Sequence, residues 1–358
     1  MNQSIKNCCS RSHPDRKWGT VFPALLACAL LLTGCENRGA EKTETVRVGV
    51  AIYQQDDTFI SNVVQEMERL AREKEGESLL KINLSIADGQ SNQTLQMEQA
   101  DLFLDWGCAV LCVNMVDRTA AAVIVDKAEE AGVPVIFFNR QPVEEDLQRW
   151  ENAYYVGPRG EQSGIFQGRI VWEQWQEDQE RVDRNGDGVL QYVMLEGEPS
   201  HQDALLRTEY SIKAITNAGV LVEKLASDTA NWNRGQAAAK MSQWHEEFGD
   251  RIEAVFANND DMALGAIDVL LESGVSPEEM PVIVGVDATA PALEAMEAGT
   301  LSGTVQNAKE MPQVLMDLAL SLYAGEDPAQ TAELTAEHYV WLPYREVNQK
   351  NFRSFREE

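Results

Sequence analysis

Short apolar runs alternate with longer stretches of helical period along most of the chain. The first run is Val46 to Ile52. After it, Val63, Val64, Met67, Leu70 and Ala71 recur at three- and four-residue spacing within Ser61 to Lys74, and Gly76 closes the stretch. Further strands are predicted at Lys81 to Ala87, Ala109 to Met115 and Val133 to Phe138, with helices at Thr94 to Leu104 and Ala120 to Ala131 between them. The second half repeats the rhythm. Strands at Leu190 to Leu195, Val220 to Leu225, Ala254 to Ala257 and Val282 to Val286 alternate with helices at Gln162 to Gln176, Ala204 to Asn217, Gly235 to Phe248, Met262 to Glu272 and Pro291 to Ala298. Strand–helix alternation predicts parallel sheets. The chain therefore reads as α/β, with two doubly wound lobes. Ser302 to Gln306, a helix at Pro312 to Tyr323 and a strand near Tyr339 to Leu342 read as returning crossings between them.

The N-terminus departs from this rhythm. Arg11, Arg16 and Lys17 precede an apolar run from Val21 to Leu32, too short for a mature span, which ends in Leu32-Thr33-Gly34-Cys35. That string has the form of a lipoprotein signal, with residues 1–34 removed and Cys35 lipidated, and the polar residues 35–45 read as a flexible tether. Removing residues 1–34, with one acidic and four basic side chains, takes the formal charge from −28 to −31. So acidic a chain lacks the basic footprint that nucleic acid requires. Cys108 and Cys112 stand four residues apart on a predicted strand, about 13 Å at ~3.3 Å per residue, beyond disulfide reach.

Polar side chains gather where apolar runs end. Asp56 and Asp57 follow Ile52, Asn139 follows Phe138, Asn258 to Asp261 follow Ala257, and Asp287 follows Val286. Ligands of open parallel sheets bind outside the carboxyl ends of the strands, so two such lobes define a cleft. Carboxylates, amides and a guanidinium suit hydroxyl groups, which both donate and accept. Flat rings, as at Phe59 and Trp232, suit the C–H faces of a pyranose. Helix capping is the competing role for Asp57, Asp203 and Asp260, each standing just before a predicted helix.

Asp183, Asn185 and Asp187 fall at positions 1, 3 and 5 of an EF-hand-type loop, with Gly188 at 6 and Gln191 at 9. Position 12, a bidentate Glu in a true EF-hand, is Met194, so a carboxylate must come from elsewhere or the loop is an Asx turn. No G-x-S-x-G, H-E-x-x-H, P-loop or dinucleotide fingerprint occurs, and His201 with Asp203 is weak ground for acid/base chemistry. No enzyme is expected.

In order, the strings VGVAIYQQDDTF, VPVIFFNRQP, AYYVG, DRNGDG, GEPSHQDALLRT, FANNDDMALGA, VGVDA and LSGTVQN resemble the type I periplasmic binding proteins, specifically the glucose/galactose (methyl-galactoside) receptors, over residues 46–345. The resemblance implies a multi-crossing hinge, with one lobe from residues 46–157 and 308–341 and the other from 158–307 and 342–358. It implies sugar contacts from Asp57, Asn139, His201, Asp203, Arg207, Asn259, Asp287 and Asn307, with Phe59 and Trp232 on the ring faces. It also implies a structural Ca²⁺ held by Asp183, Asn185, Asp187, the Val189 carbonyl, Gln191 and Glu253. The implied partners are D-galactose or D-glucose, an ABC-type permease and a membrane reached through Cys35; a chemoreceptor is left open. A receptor for a pentose or furanose, or a sensor without transport, remains the alternative. A transcriptional regulator of the same core fold would carry a helix-turn-helix where this chain has its apolar signal.

Overall fold

The computed structural model describes residues 44–77 and 80–356. The signal segment, Cys35 and the tether up to residue 43 lie outside the described residues. Glu44 and Thr45, expected in the tether, are instead the first residues of a strand.

The first half runs β1 (Glu44–Ile52), α1 (Thr58–Glu77), β2 (Leu80–Asp88), α2 (Gln93–Asp105), β3 (Val110–Val113), α3 (Ala121–Ala131), β4 (Val135–Phe138), α4 (Glu144–Leu147) and β5 (Ala153–Pro158). Then come α5 (Gly160–Glu177), α6 (Gln179–Val182), β6 (Val189–Glu196), α7 (Gln202–Asn217), β7 (Leu221–Thr229), α8 (Arg234–Phe248), β8 (Ala254–Ala257), α9 (Asp260–Glu272), β9 (Val282–Val284), α10 (Ala290–Glu297) and β10 (Gly303–Gln306). The chain closes with α11 (Met311–Ala324), β11 (Tyr339–Leu342), β12 (Arg345–Asn348) and α12 (Phe352–Arg356).

Two six-stranded sheets result, ordered β2-β1-β3-β4-β5-β11 and β7-β6-β8-β9-β10-β12. Pairing is parallel throughout except for β10 with β12. The inner strands β3, β4, β8 and β9 are fully buried along their length. Helices cover both faces of each sheet, which is why these strands read as unbroken apolar runs. Each face has its own core. In the first lobe Val48, Met67 and Leu315 pack on one face and Phe103, Ile124 and Phe137 on the other. In the second, Val255, Met262 and Met296 oppose Ile170, Ile215 and Phe256.

The chain passes between sheets at β5→α5, β10→α11 and β11→β12. The predicted strand at 220–225 extends to Thr229, with a bulge that sets Ala226 opposite Val193 and skips Leu225. Added length there delivers Ala230 to Trp232 to the carboxyl edge of β6, where the Ala230 N–H donates to Glu196 O at 2.8 Å. Cys108 sits just before β3 rather than within it, and both described cysteines are buried free thiols.

Candidate functional site

Both sheets follow the order in which the first two strands reverse, so each has a switch point at its carboxyl edge. The two edges face each other across a cleft lined by Asp57, Phe59, Asn139, His201, Arg207, Trp232, Asn259, Asp287 and Asn307, together with Tyr53, Ile60 and Arg140. Of the ten residues expected at the sugar, Asp203 alone stands behind this lining. It is buried, with its Oδ2 accepting from Arg207 Nη2 at 2.9 Å and from Tyr344 Oη at 3.2 Å. Tyr53, Ile60 and Arg140 are the residues that sequence reasoning missed. Tyr53 donates to Asp57 Oδ2 at 2.6 Å across a spacing of four, a relation visible in the sequence once Asp57 is singled out.

Capping and lining coincide at several positions. Asp57 Oδ1 accepts the Ile60 N–H at 2.9 Å, capping α1. Asn259, rather than Asp260, caps α9 through the Met262 N–H at 3.0 Å, and its Nδ2 donates to Trp232 O at 3.2 Å. Asp260 is wholly buried under Thr289 and Thr304, and burial raises its carboxyl to about 7. Asp203 lies inside the first turn of α7, whose cap is His201.

Asn139 and Trp232 hold positive φ of 59° and 62°, and Asp287 holds 120°. Such backbone persists only where its surroundings fix it, and clusters at ligand sites. Asn139 Oδ1 accepts from Asn114 at 3.0 Å, leaving its amide N–H groups to donate. Asn307 Nδ2 donates to Asp287 Oδ1 at 3.1 Å, and burial holds the Asp287 carboxyl well above the usual carboxylate range despite the opposing Arg207 guanidinium. Arg207 donates to Asn258 O at 2.7 Å as well as to Asp203 and Tyr344.

His201 Nδ1 accepts the Asp203 backbone N–H at 3.1 Å, which leaves the ring proton on Nε2. Burial, then the guanidiniums of Arg140, Arg207 and Arg118, hold its pKa well below the ordinary histidine value. The neutral ring therefore offers one donor. In ring-labelled protein the His201 resonances are expected to stay unchanged between about pH 8 and pH 6, across the ordinary histidine range. Below the unfolded pKa the unfolded chain binds a proton that the folded chain refuses, so the contribution of His201 to stability falls as pH falls. A shift of those resonances in that window would contradict the buried, neutral assignment.

The lobes touch across the mouth of the cleft. Thr58 Oγ1 donates to Asp261 at 2.6 Å, Arg118 Nη2 to Gln202 at 2.8 Å, and Arg140 pairs with Glu198 at 2.8 Å. Inside, Asn307 Oδ1, Trp232 Nε1 and two nitrogens of Arg140 are buried without a protein partner. Buried polar atoms are ordinarily satisfied, so these four stand out as groups free to meet a polar ligand.

The loop after α6 gathers a second polar set. Asp183 accepts the N–H groups of Asp187 at 3.1 Å and Gly188 at 2.9 Å. Glu253 arrives from the start of β8 and accepts from Arg184 N at 2.7 Å and Gln191 N at 2.8 Å. The Asn185 and Gln191 amides both donate to Asp187 Oδ2 at 3.0 Å. All the side chains expected at calcium thus converge. Burial, with Asp183 adding to it, raises the Glu253 carboxyl. Oxygen donors and a carboxylate held up by burial suit a hard cation. Among the described residues no group of three or more His, Cys, Asp or Glu stands as a metal cluster.

Two α/β lobes closed over buried hydroxyl-matching groups define a two-lobed solute receptor. The chain belongs to the periplasmic binding proteins: residues 48–327 match the family's periplasmic binding protein domain. It is 35% identical to the D-galactose/methyl-galactoside binding periplasmic protein of Haemophilus influenzae, over 86% of this chain and 91% of that one. It is 32% identical to a putative rhizopine-binding protein of Rhizobium meliloti, over 88% and 94%. An ABC transporter solute binding protein of Bacillus halodurans with bound myo-inositol superposes with a TM-score of 0.71 at 28% identity, covering 88% of this chain and 99% of that one. The protein is accordingly a non-enzymatic, extracytoplasmic sugar-binding receptor of an ABC-type importer. No helix among the described residues is long and apolar enough to cross a membrane.

Proposed function

We propose that the sugar is D-galactose or D-glucose, bound between the lobes with Phe59 and Trp232 on its faces and the cleft carboxylates and amides on its rim. The observation that carries this reading is the convergence of Asp57, Asn139, His201, Arg207, Asn259, Asp287 and Asn307 on one closed cleft with unpaired polar atoms inside. The Haemophilus relative, named for galactose and methyl-galactoside, supports it. A ligand that bridges both lobes stabilises only the closed state, so binding and closure are one equilibrium.

Calorimetric titration of residues 36–358 with each hexose in calcium-containing buffer tests the assignment. One-to-one binding of either hexose is the expected result. Binding of a pentose or furanose alone would defeat it. The relative that holds myo-inositol favours a cyclitol as the second reading, which makes myo-inositol the first competitor.

The proposal includes membrane tethering through Cys35 and a structural Ca²⁺ on Asp183, Asn185, Asp187, the Val189 carbonyl, Gln191 and Glu253. Chelation with EGTA is expected to lower the unfolding midpoint by an amount equivalent to about 2.7 kcal/mol when calcium stood at roughly a hundred times its Kd. Excess Ca²⁺ should restore it, and Glu253→Gln should abolish the difference. An identical midpoint with and without chelator would remove calcium from the account.

A further inference from the structure

Residues 287–289 lead from β9 into α10 and carry Asp287 to the cleft. Asp287 and Ala288 hold φ of 120° and 55°, two consecutive residues in a region that side chains disfavour, so groups outside the loop have to fix them. Each backbone N–H of the loop is taken up. Asp287 N donates to Val305 O at 2.8 Å, Ala288 N to Thr304 Oγ1 at 3.3 Å, and Thr289 N to Asp260 Oδ2 at 2.8 Å. Asp260 also accepts from Thr304 Oγ1 at 2.6 Å and from Thr289 Oγ1 at 3.3 Å. Two of the three anchors therefore run through its carboxyl, one directly and one by way of Thr304.

That carboxyl is walled in. Asp260 and Thr304 are fully buried, and both stand outside the cleft lining. The Asp260 N–H donates to Val286 O at 2.8 Å, tying the head of α9 to the run that enters the loop. At Gly285 a Cβ would stand 2.3 Å from Asp260 Oδ1, so the missing side chain there makes room for the carboxyl. Burying a carboxyl is unfavourable, and an apolar residue would fill the space without that cost. What the loop uses is a pair of oxygens that can accept from one backbone and two hydroxyl donors together.

We infer that Asp260 is a positioning residue for ligand recognition, holding the strained loop so that Asp287 meets one particular hydroxyl of the bound polyol. The inference rests on reading the cleft as a polyol site with Asp287 among its contacts. It does not require the polyol to be a hexose. A residue that only stabilised the second lobe would affect every ligand alike or none. One acting through its neighbour Asn259 would follow a different hydroxyl.

Calorimetry with D-galactose, D-glucose and their monodeoxy derivatives separates these roles. The hydroxyl that Asp287 meets is the one whose removal makes Asp287→Gly almost costless; glycine is chosen because it tolerates the positive φ. Asp260→Ala is expected to weaken hexose binding roughly 10- to 100-fold, yet to cost little for that one deoxy sugar and its full amount for the others. Thr304→Val, which keeps the volume, should show the same pattern at smaller size, and it decides the matter if Asp260→Ala does not fold. Asp260→Asn, which keeps an acceptor for the Thr289 N–H, should recover much of the affinity.

Equal losses across all derivatives, undiminished affinity with only earlier unfolding, or a loss that vanishes at a hydroxyl other than that of Asp287 would overturn the proposal. So would an Asp287→Gly loss that no deoxy derivative relieves. If the parent protein takes up neither hexose, the hexose reading fails by itself and the variants are titrated with myo-inositol. There Asp260→Ala should weaken binding in the parent protein and cost nothing further in an Asp287→Gly background; additive losses would overturn the assignment. If no polyol binds the parent protein, the polyol reading and the inference resting on it fall together.

Discussion

Arg207→Met is expected to abolish measurable sugar binding and to lower folding stability by about 3–5 kcal/mol, the range for removing one partner of a buried ion pair. Arg207 is 3% exposed and Asp203 6%. Without the guanidinium, Asp203 keeps the weaker Tyr344 contact at 3.2 Å, and Asn258 O and Tyr344 each lose a donor. An uncompensated carboxylate in that position is the main cost. Adding Asp203→Asn should therefore recover part of the lost stability, since an amide needs no counter-charge. Denaturant unfolding of the single and double variants reads this directly. A double variant no more stable than Arg207→Met would place the cost elsewhere.

Gly197→Val is expected to weaken binding without touching any ligand-facing polar group. A Cβ at Gly197 would stand 2.1 Å from Trp232 Cη2, against the far edge of the indole. Trp232 has little room to yield, because its carbonyl accepts from Asn259 and its ring meets His201 edge-on at 5.1 Å. Overpacking of this kind costs about 1–3 kcal/mol, or roughly 5- to 150-fold in affinity if the indole is displaced from the sugar face. The cause is checked by coupling. In a Trp232→Ala background the Gly197→Val change should cost almost nothing further. Additive losses would show that Gly197 acts on something other than the ring.

Much of this arrangement is legible in the sequence, for a physical reason. A strand buried on both faces leaves no room for polar residues, so VLCV, VIFF and AVFA announce themselves, and the polar residues that follow them are the carboxyl edge of the sheet. β5 escaped the reading because AYYVGP mixes tyrosines with Gly157 and Pro158, although it is buried along its length. β12, with REVN, is an antiparallel edge strand whose side chains are mostly half-buried, and four such residues carry no usable period. α12 is as short. Arg140 was missed because one charged residue after Asn139 looks like ordinary surface chemistry. Only the fold reveals that Tyr53, Val116 and Glu198 bury it.

The three passages between sheets have a consequence for how such a protein can be divided. α11 supplies Met311, Leu315 and Leu318 to the core of the sheet that begins with β1, although more than a hundred residues of the other lobe intervene. A gene fragment stopping after β5 would lack that cover and the edge strand β11, and its sheet would meet water where β3 and β5 now meet α11. Neither lobe is thus a cassette that can be exchanged by a single cut in the coding sequence; recombination that keeps both lobes intact must respect breakpoints at every passage of the chain between them.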